Sequence, residues 1–316
     1  MKFDETQVKL IDVDNMRGQI SSLYDQINHS IDIVKNFTSE NSSYKNIIGK
    51  YNKILIIGMG GSAIGGDFAR TIFENDISYP IYVLRDYSIP NWVDEKTFVI
   101  VSSYSGNTEE TLSAYNQCLS KNCFSIAIST GGELSKIAIS NNVGIIKLPS
   151  GFQPRAAVGY SISILLLLFI EIGLIDKKNQ ENLELIIKNK LGEKYIDKAK
   201  DIANKIFNTF PIIYSGGGYM EILATRLRGQ LAENSKILSY QSTFPEHNHN
   251  EIEGWSQNCE NMNSHFSIIW LKDKNDTHYI NKRIDIVQAI IDDYPKQQLT
   301  IEVSGELILE RVFAMI

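Results

Sequence analysis

The sequence predicts an α/β fold with two similar domains, each a parallel sheet with helices on both faces. In the first half of the chain, helix-compatible segments alternate with the apolar runs KILIIG, YPIYVLR, TFVIVSS, CFSIAIS and VGIIKLP. Continuously apolar runs are typical of strands that are buried on both faces of a parallel sheet. The second half repeats this outline in FPIIYSGGG, FSIIWLK and LTIEVS, which favours a second domain of the same architecture.

The boundary between the two domains is predicted after Arg155. The segment SGFQPRAAVGYS combines glycine, proline and small residues, and it leads into an apolar stretch that predicts a buried helix. We therefore assign residues 1–155 to N-terminal helices plus the first domain, and residues 156–316 to the second domain. The N-terminal helices are predicted from apolar residues at helical spacing between residues 7 and 34.

Composition and charge argue against nucleic acid and membrane partners. The 316 residues carry a formal net charge of -6, with 31 basic residues interspersed among 37 acidic ones, so no basic stripe is expected. The longest apolar run, ILLLLFI, is far shorter than the roughly 20 residues of a membrane span. Cys118, Cys123 and Cys259 form no CxxC pair, which favours buried, unreactive thiols and a cytoplasmic location.

A glycine-rich turn follows the first predicted strand. In GMGGSAIGG, Gly58, Gly60 and Ala63 match the dinucleotide fingerprint G-x-G-x-x-G/A, and Asp86 after the next strand could act as the ribose-binding acid. By itself the motif leaves two alternatives open. One is a nicotinamide-dependent oxidoreductase, and the other is a tight strand-to-helix turn that requires glycine.

A cluster of hydroxyl side chains follows the third predicted strand. In SSYSGNTEET, Ser103, Ser105 and Thr108 lie with Gly106 and Asn107 between this strand and a helix N-terminus. Backbone N–H groups there are unpaired and lie at the positive end of the helix dipole. Hydroxyls and N–H groups together favour a phosphate monoester dianion as ligand. The alternative is that these residues act only as N-caps.

These motifs resemble the sugar isomerase (SIS) domain, a flavodoxin-like unit that binds phosphosugars. Together with QPRAAVGY, LAENSK and FPEHNHNEIEGW further along, they resemble in order the bifunctional phosphoglucose/phosphomannose isomerases, which are built from two SIS domains. The resemblance extends over most of the chain from Lys53 to Trp255. It implies an aldose-ketose isomerase that interconverts glucose 6-phosphate or mannose 6-phosphate with fructose 6-phosphate through a cis-enediol, with no metal or other cofactor.

The resemblance also implies which residues bind the substrate. Gly61 and Ser62 would lie near the sugar or its phosphate. The hydroxyls of Ser103, Ser105 and Thr108 would hold the phosphate.

Three further residues would carry the chemistry. The resemblance implies that Arg155 faces the reacting carbons, that Glu233 moves the proton, and that His249 opens the sugar ring. In the family this histidine comes from the neighbouring subunit, so a homodimer is implied. A carboxylate, a guanidinium and an imidazole are suited to proton transfer, enediolate stabilisation and ring opening, respectively.

Structural alternatives remain for these residues. Arg155 could be a surface charge in a linker, and Glu233 could be an exposed helix residue paired with Arg226 or Arg228. The segment EHNHNE could also bind a metal through Glu246, His247, His249 and Glu251, because the two histidines would share one face of an extended segment. No further His or Cys cluster lies nearby in the sequence, so we expect no metal.

A noncatalytic phosphosugar-binding regulator is the alternative function. No helix-turn-helix or basic segment is appended, and Glu233 and His249 occur in family context, which favours the enzyme. Family members continue past the LTIEVSGELILERVFAMI segment into a further helical element, so the C-terminus at Ile316 is expected to be truncated. Amino sugar phosphates remain possible substrates, because the phosphate loop contacts an end of the molecule that they share.

Overall fold

The computed structural model describes residues 5–41, 43–44, 47, 49–255 and 260–316. Two compact units are present, one ending at Asn189 and the other running from Lys190 to Ile316. We call them the N-terminal unit and the C-terminal unit. Cys118 and Cys123 are buried, as expected, whereas Cys259 lies outside the described residues. In the part of the chain described, no helix has the length and apolar character that crossing a membrane requires.

The N-terminal unit is a five-stranded parallel sheet with helices around it, as far as the described residues show. Its elements are α1 (Glu5–Ile11), α2 (Met16–Ser21), α3 (Leu23–Glu40), β1 (Lys53–Ile57), α4 (Gly60–Ile72), β2 (Ile81–Leu84), β3 (Thr97–Ser102), α5 (Glu109–Ser120), β4 (Phe124–Ser129), α6 (Gly132–Ser140), β5 (Gly144–Lys147), α7 (Val158–Glu171) and α8 (Lys178–Asn189). A short 3-10 helix, Pro154–Ala156, precedes α7.

The strand order β2-β1-β3-β4-β5 is the flavodoxin-like order that the resemblance implied. The chain moves outward in one direction from β1 to β2 and in the other from β3 to β5. Ligands of open α/β sheets bind at such a switch point, beyond the carboxyl ends of the two central strands. The turns after β1 and β3 are therefore the places where a binding site is expected.

Helix α7 determines where the first unit ends. Its residues from Val158 to Ile170 are buried except Ser161, and it packs against α3 and α4. A helix that is apolar on every side needs partners on opposite sides. Because these partners belong to the N-terminal unit, α7 and the following α8 stay with it. The boundary predicted after Arg155 thus falls inside the N-terminal unit.

The C-terminal unit repeats the same architecture with a four-stranded parallel sheet among the residues described, in the order β7-β6-β8-β9. Its elements are α9 (Ile196–Ile206), β6 (Phe210–Ser215), α10 (Tyr219–Ser235), β7 (Tyr240–Thr243), α11 (Glu260–Asn263), β8 (Phe266–Lys272), α12 (His278–Ile290), β9 (Gln297–Glu302) and α13 (Ile308–Met315). In this order β6 and β8 correspond to β1 and β3. The prediction of a second α/β domain of the same kind is confirmed.

The turn after β8 contains two aspartates, Asp273 and Asp276, where the turn after β3 has a cluster of hydroxyls. Asp273 is 2% exposed and pairs with Arg311 of α13, whose Nε and Nη2 lie 3.0 and 3.2 Å from the two carboxylate oxygens. Asp276 lies nearby, and burial together with the charge of Asp273 raises the pKa of Asp276 to about 6, from an ordinary value of 3.8. In the C-terminal unit this turn therefore contains an internal ion pair.

Asp276 makes the stability of the C-terminal unit depend on pH. Between about pH 4 and pH 6 the folded protein keeps a proton on Asp276 that the unfolded chain has released, and this proton stabilises the folded state. The stabilisation decreases as the pH rises over this range and is lost above about pH 6. We expect Asp276→Asn to be more stable than the wild type at pH 7.5 by about 1 to 2 kcal/mol, because water screens part of the full effect of the shift. Urea unfolding measures this difference.

The same unfolding experiment at about pH 4.5 supplies the comparison, since there the difference between Asp276→Asn and the wild type should shrink. Asp293→Asn, a change at an exposed aspartate, is the control and should show no such pH dependence. A stability difference for Asp276→Asn that is equal at both pH values would contradict the prediction.

Candidate active site

The hydroxyl loop, residues 103–108, lies at the switch point between β3 and the N-terminus of α5. The hydroxyls of Ser103 and Thr108 are 2.9 Å apart and hydrogen-bond to each other. Ser103 is buried, Thr108 is half-buried and Ser105 is exposed. Thr108 occupies the N-cap position of α5, yet its side chain makes no capping hydrogen bond. For Thr108, the N-cap alternative therefore does not explain the hydroxyl.

The backbone N–H groups of this loop are used differently from what the sequence suggested. The N–H of Gly106 donates to Ser103 Oγ at 3.1 Å, and the N–H of Asn107 donates to Ser105 Oγ at 3.2 Å. These two donors therefore fix the serine hydroxyls. The donors that remain for a ligand are the N–H groups in the first turn of α5, which have no acceptor within the helix.

The hydroxyl loop is locked against the turn before α6. The N–H of Leu134 donates to Gly106 O at 2.8 Å, and the N–H of Glu133 donates to Asn107 Oδ1 at 3.0 Å. Gly106 has φ of 70°, and a Cβ there would lie 1.9 Å from the carbonyl oxygen of Gly131. Glycine is required at this position both by its conformation and by this close approach.

Ser62 brings the glycine turn into contact with the hydroxyl loop. It lies in the first turn of α4, and its Oγ accepts a hydrogen bond from the backbone N–H of Tyr104 at 3.2 Å. A Cβ at Gly61 would lie 2.7 Å from the carbonyl oxygen of Pro154. Glycine at 61, which is not one of the fingerprint residues, is thus explained by close packing against the backbone of Pro154.

Arg155 lies in the 3-10 helix that rests on this glycine turn. Its backbone N is 3.7 Å from the ideal Cβ position of Gly61, and its half-buried side chain donates to Gln153 Oε1 at 3.4 Å. Gly61, Ser62 and Ser161 line a shallow cleft together with Ser102 of β3 and Tyr104 of the hydroxyl loop. The structure thus places Gly61, Ser62 and the backbone of Arg155 next to the strand end at which the hydroxyl loop begins.

Tyr104 is a residue of this site that the sequence did not single out. Its phenol donates to Pro149 O at 2.8 Å and accepts from the N–H of Phe152 at 3.0 Å, which ties the hydroxyl loop to the segment leading to Arg155. Burial raises the pKa of Tyr104, so the phenol stays protonated. Its position inside the SSYSGNT motif was the available signal.

Glu233 lies in the last turn of α10, in the C-terminal unit. Its side chain is exposed there. Burial lowers the pKa of Arg226, on the same helix, to about 10, and the charge of Glu233 opposes this lowering. The carboxylate of Glu233 thus interacts with a buried guanidinium two helical turns earlier. This is one of the two pairings that the structural alternative proposed.

His249 is exposed at the end of the 3-10 helix Glu246–His249, and His247 of the same helix is completely buried. The metal alternative assumed an extended segment with both histidines on one face, whereas the segment is a 3-10 helix in which His247 is buried and His249 is exposed. His247 stacks on Phe244 with ring centroids 4.6 Å apart, and burial lowers its pKa. Within the described residues, no three His, Cys, Asp or Glu side chains form a metal-binding group.

Comparisons with known proteins agree with the two-unit fold. A model of the SIS domain family matches residues 47–153. A model described as the bacterial phospho-glucose isomerase C-terminal SIS domain matches residues 196–316. A solved structure of tagatose-6-phosphate ketose/aldose isomerase from Escherichia coli superposes with a TM-score of 0.70 at 14% identity, covering 95% of this chain and 89% of that one. At this identity the likeness concerns the fold alone.

Two curated relatives are similar over most of their length. The chain is 39% identical over 309 residues to a bifunctional phosphoglucose/phosphomannose isomerase of Caldicellulosiruptor bescii, covering 95% of this chain and 89% of the relative. It is 35% identical over 262 residues to the protein of the same name from Aquifex aeolicus, covering 83% of this chain and 79% of the relative. The chain therefore belongs to the family of bifunctional phosphoglucose/phosphomannose isomerases.

Proposed function

We propose that the protein is an aldose-ketose isomerase that interconverts glucose 6-phosphate and mannose 6-phosphate with fructose 6-phosphate. The observation that carries this proposal is the hydroxyl loop at the β1/β3 switch point, next to Ser62 and the Arg155 segment. Its hydroxyls and the first N–H groups of α5 supply donors for a phosphate dianion. The curated relatives carry names with the same activity.

The chemistry is assigned to the side chains of this chain. Glu233 takes the proton from the carbon next to the carbonyl and returns it to the adjacent carbon, so a cis-enediol forms between the two transfers. Arg155 stabilises the negative charge that develops on the enediol oxygens. Glucose and mannose phosphates give the same enediol, because they differ only at the carbon that loses its proton. The scheme uses neither a metal nor another cofactor.

His249 opens the sugar ring in this scheme. An imidazole can donate a proton to the ring oxygen and accept one from the anomeric hydroxyl near neutral pH. We propose that His249 acts in the site of a second copy of the chain, in a cytoplasmic homodimer. Its exposure supports this, as do the exposed apolar side chains of Leu10, Ile11 and Val13, since clustered apolar residues on a surface often mark an interface.

The test is conversion of fructose 6-phosphate by the purified protein, with and without a chelator, followed by separate enzymatic assays for glucose 6-phosphate and mannose 6-phosphate. We expect both products, formed at the same rate with chelator. Loss of turnover on chelation would contradict the metal-free scheme. Binding of the sugar phosphate without turnover would favour the noncatalytic regulator, and glucosamine 6-phosphate should be included in the same assay as an amino sugar substrate.

A further inference from the structure

The segment that carries His249, residues 244–255, is fastened at both ends to one side chain of β6. At its start, Phe244 is 1% exposed and packs edge-on against the ring of Tyr214. At its end, the indole Nε1 of Trp255 donates to the phenol oxygen of Tyr214 at 3.1 Å. Both ends of the histidine segment therefore converge on a residue in the core of the sheet.

Glu251 fixes the middle of the histidine segment, two residues after His249. One carboxylate oxygen accepts a hydrogen bond from the phenol of Tyr214 at 2.7 Å, and the other accepts from the phenol of Tyr240 at 3.2 Å. Tyr214 is 1% exposed, and burial together with the carboxylate raises its pKa, so its phenol remains a donor. A hydrogen bond from a buried donor to a carboxylate is roughly twice as strong as one between neutral groups.

We infer that Tyr214 and Glu251 are positioning residues for His249. The inference rests on the proposed function, because it concerns the ring-opening step assigned to His249. An exposed side chain takes its position from the backbone on either side, and here the backbone is held by Glu251 on one side and by Phe244 on the other. Since a displacement of about 1 Å can lower a catalysed rate by about 100-fold, these contacts are expected to matter for the reaction.

The test separates ring opening from proton transfer by using two substrates. Fructose 6-phosphate is mostly a closed furanose, whereas 5-deoxyfructose 6-phosphate has no C5 hydroxyl with which to close that ring. Tyr214→Phe removes the phenol that joins Glu251 and Trp255. We expect its kcat to fall by about 10- to 100-fold on fructose 6-phosphate and to stay within about twofold of the wild type on the acyclic substrate.

A matched control exists in the same unit. The phenol of Tyr195 also makes two hydrogen bonds, with Ser304 Oγ at 3.0 Å and with the backbone N–H of Ser304 at 2.8 Å, away from the histidine segment. Tyr195→Phe should leave both substrates unaffected. If Tyr214→Phe does not fold, Glu251→Ala tests the same contact, and Glu251→Gln, which can bond to both phenols, should recover most of the loss.

The outcomes distinguish this inference from the proposed function. A loss confined to the cyclic substrate supports the positioning role. An equal loss of kcat on both substrates, or no loss on either, overturns the positioning role but leaves the proposed isomerase activity unaffected. If the wild type converts neither substrate, the proposed function fails and the inference fails with it. If His249→Asn lowers kcat equally on both substrates, His249 does not open the ring. The positioning role then fails too, although the proposed isomerase activity is unaffected.

Discussion

Replacing Glu233 with glutamine is expected to lower kcat for fructose 6-phosphate by about 10²- to 10⁴-fold. Glutamine has nearly the shape of glutamate but cannot accept a proton from carbon, so the enediol cannot form. Because Glu233 is exposed at the end of α10, the substitution should leave the fold intact, with a modest loss in the free energy of unfolding from the weakened attraction to Arg226.

The KM of Glu233→Gln should stay near the wild-type value, since the residue is proposed to act in the transition state and not in phosphate binding. Glu221→Gln is the control, because it changes an exposed glutamate in the first turn of the same helix. Steady-state kinetics and urea unfolding of both variants provide the measurement. Retention of more than about a tenth of the wild-type kcat by Glu233→Gln would rule out Glu233 as the base.

Replacing Gly106 with alanine is expected to disrupt the hydroxyl loop and abolish phosphosugar binding. An alanine there would combine an unfavourable positive φ with a methyl group 1.9 Å from the backbone oxygen of Gly131, and neither backbone can move without breaking the hydrogen bonds between the loop and α6. We expect a loss of about 3 to 5 kcal/mol in the stability of the N-terminal unit.

Thermal unfolding and titration with fructose 6-phosphate measure the two effects of Gly106→Ala. Gly229→Ala is the control, because a Cβ at this helical glycine meets nothing within 4 Å and alanine favours a helix. That control should be neutral or slightly stabilising. Unchanged sugar phosphate affinity in folded Gly106→Ala would show that the hydroxyl loop is not the phosphate site.

The sequence predicted those features that depend on local pattern. Buried parallel strands are continuously apolar, so β1 and β3 were recognisable, and the hydroxyl loop followed from its place between a strand and a helix. Strand β7 was missed because its sequence, YQST, is short and polar and lies at the edge of the sheet. None of the four residues of β7 is buried, so the strand need not be apolar.

Features that depend on contacts between distant residues could not be predicted. Nothing near Tyr104 in the sequence indicates that its phenol bonds to Pro149 and Phe152. His247 is buried and His249 is exposed because both lie in a 3-10 helix and the ring of His247 packs into an aromatic core. The exposure of Glu233, in contrast, was the structural alternative that its place in a helix had indicated.

The most direct test of the central claim is isomerisation of fructose 6-phosphate by the wild type in deuterium oxide, with the position of deuterium determined by NMR. Proton transfer through a cis-enediol predicts deuterium at C2 of the glucose 6-phosphate and mannose 6-phosphate formed. Because Glu233 is exposed, the proton that it carries should exchange with the solvent over many turnovers. Products that still carry no deuterium at C2 after prolonged equilibration would contradict the role of Glu233 as an exposed base and would favour direct hydride transfer between the two carbons.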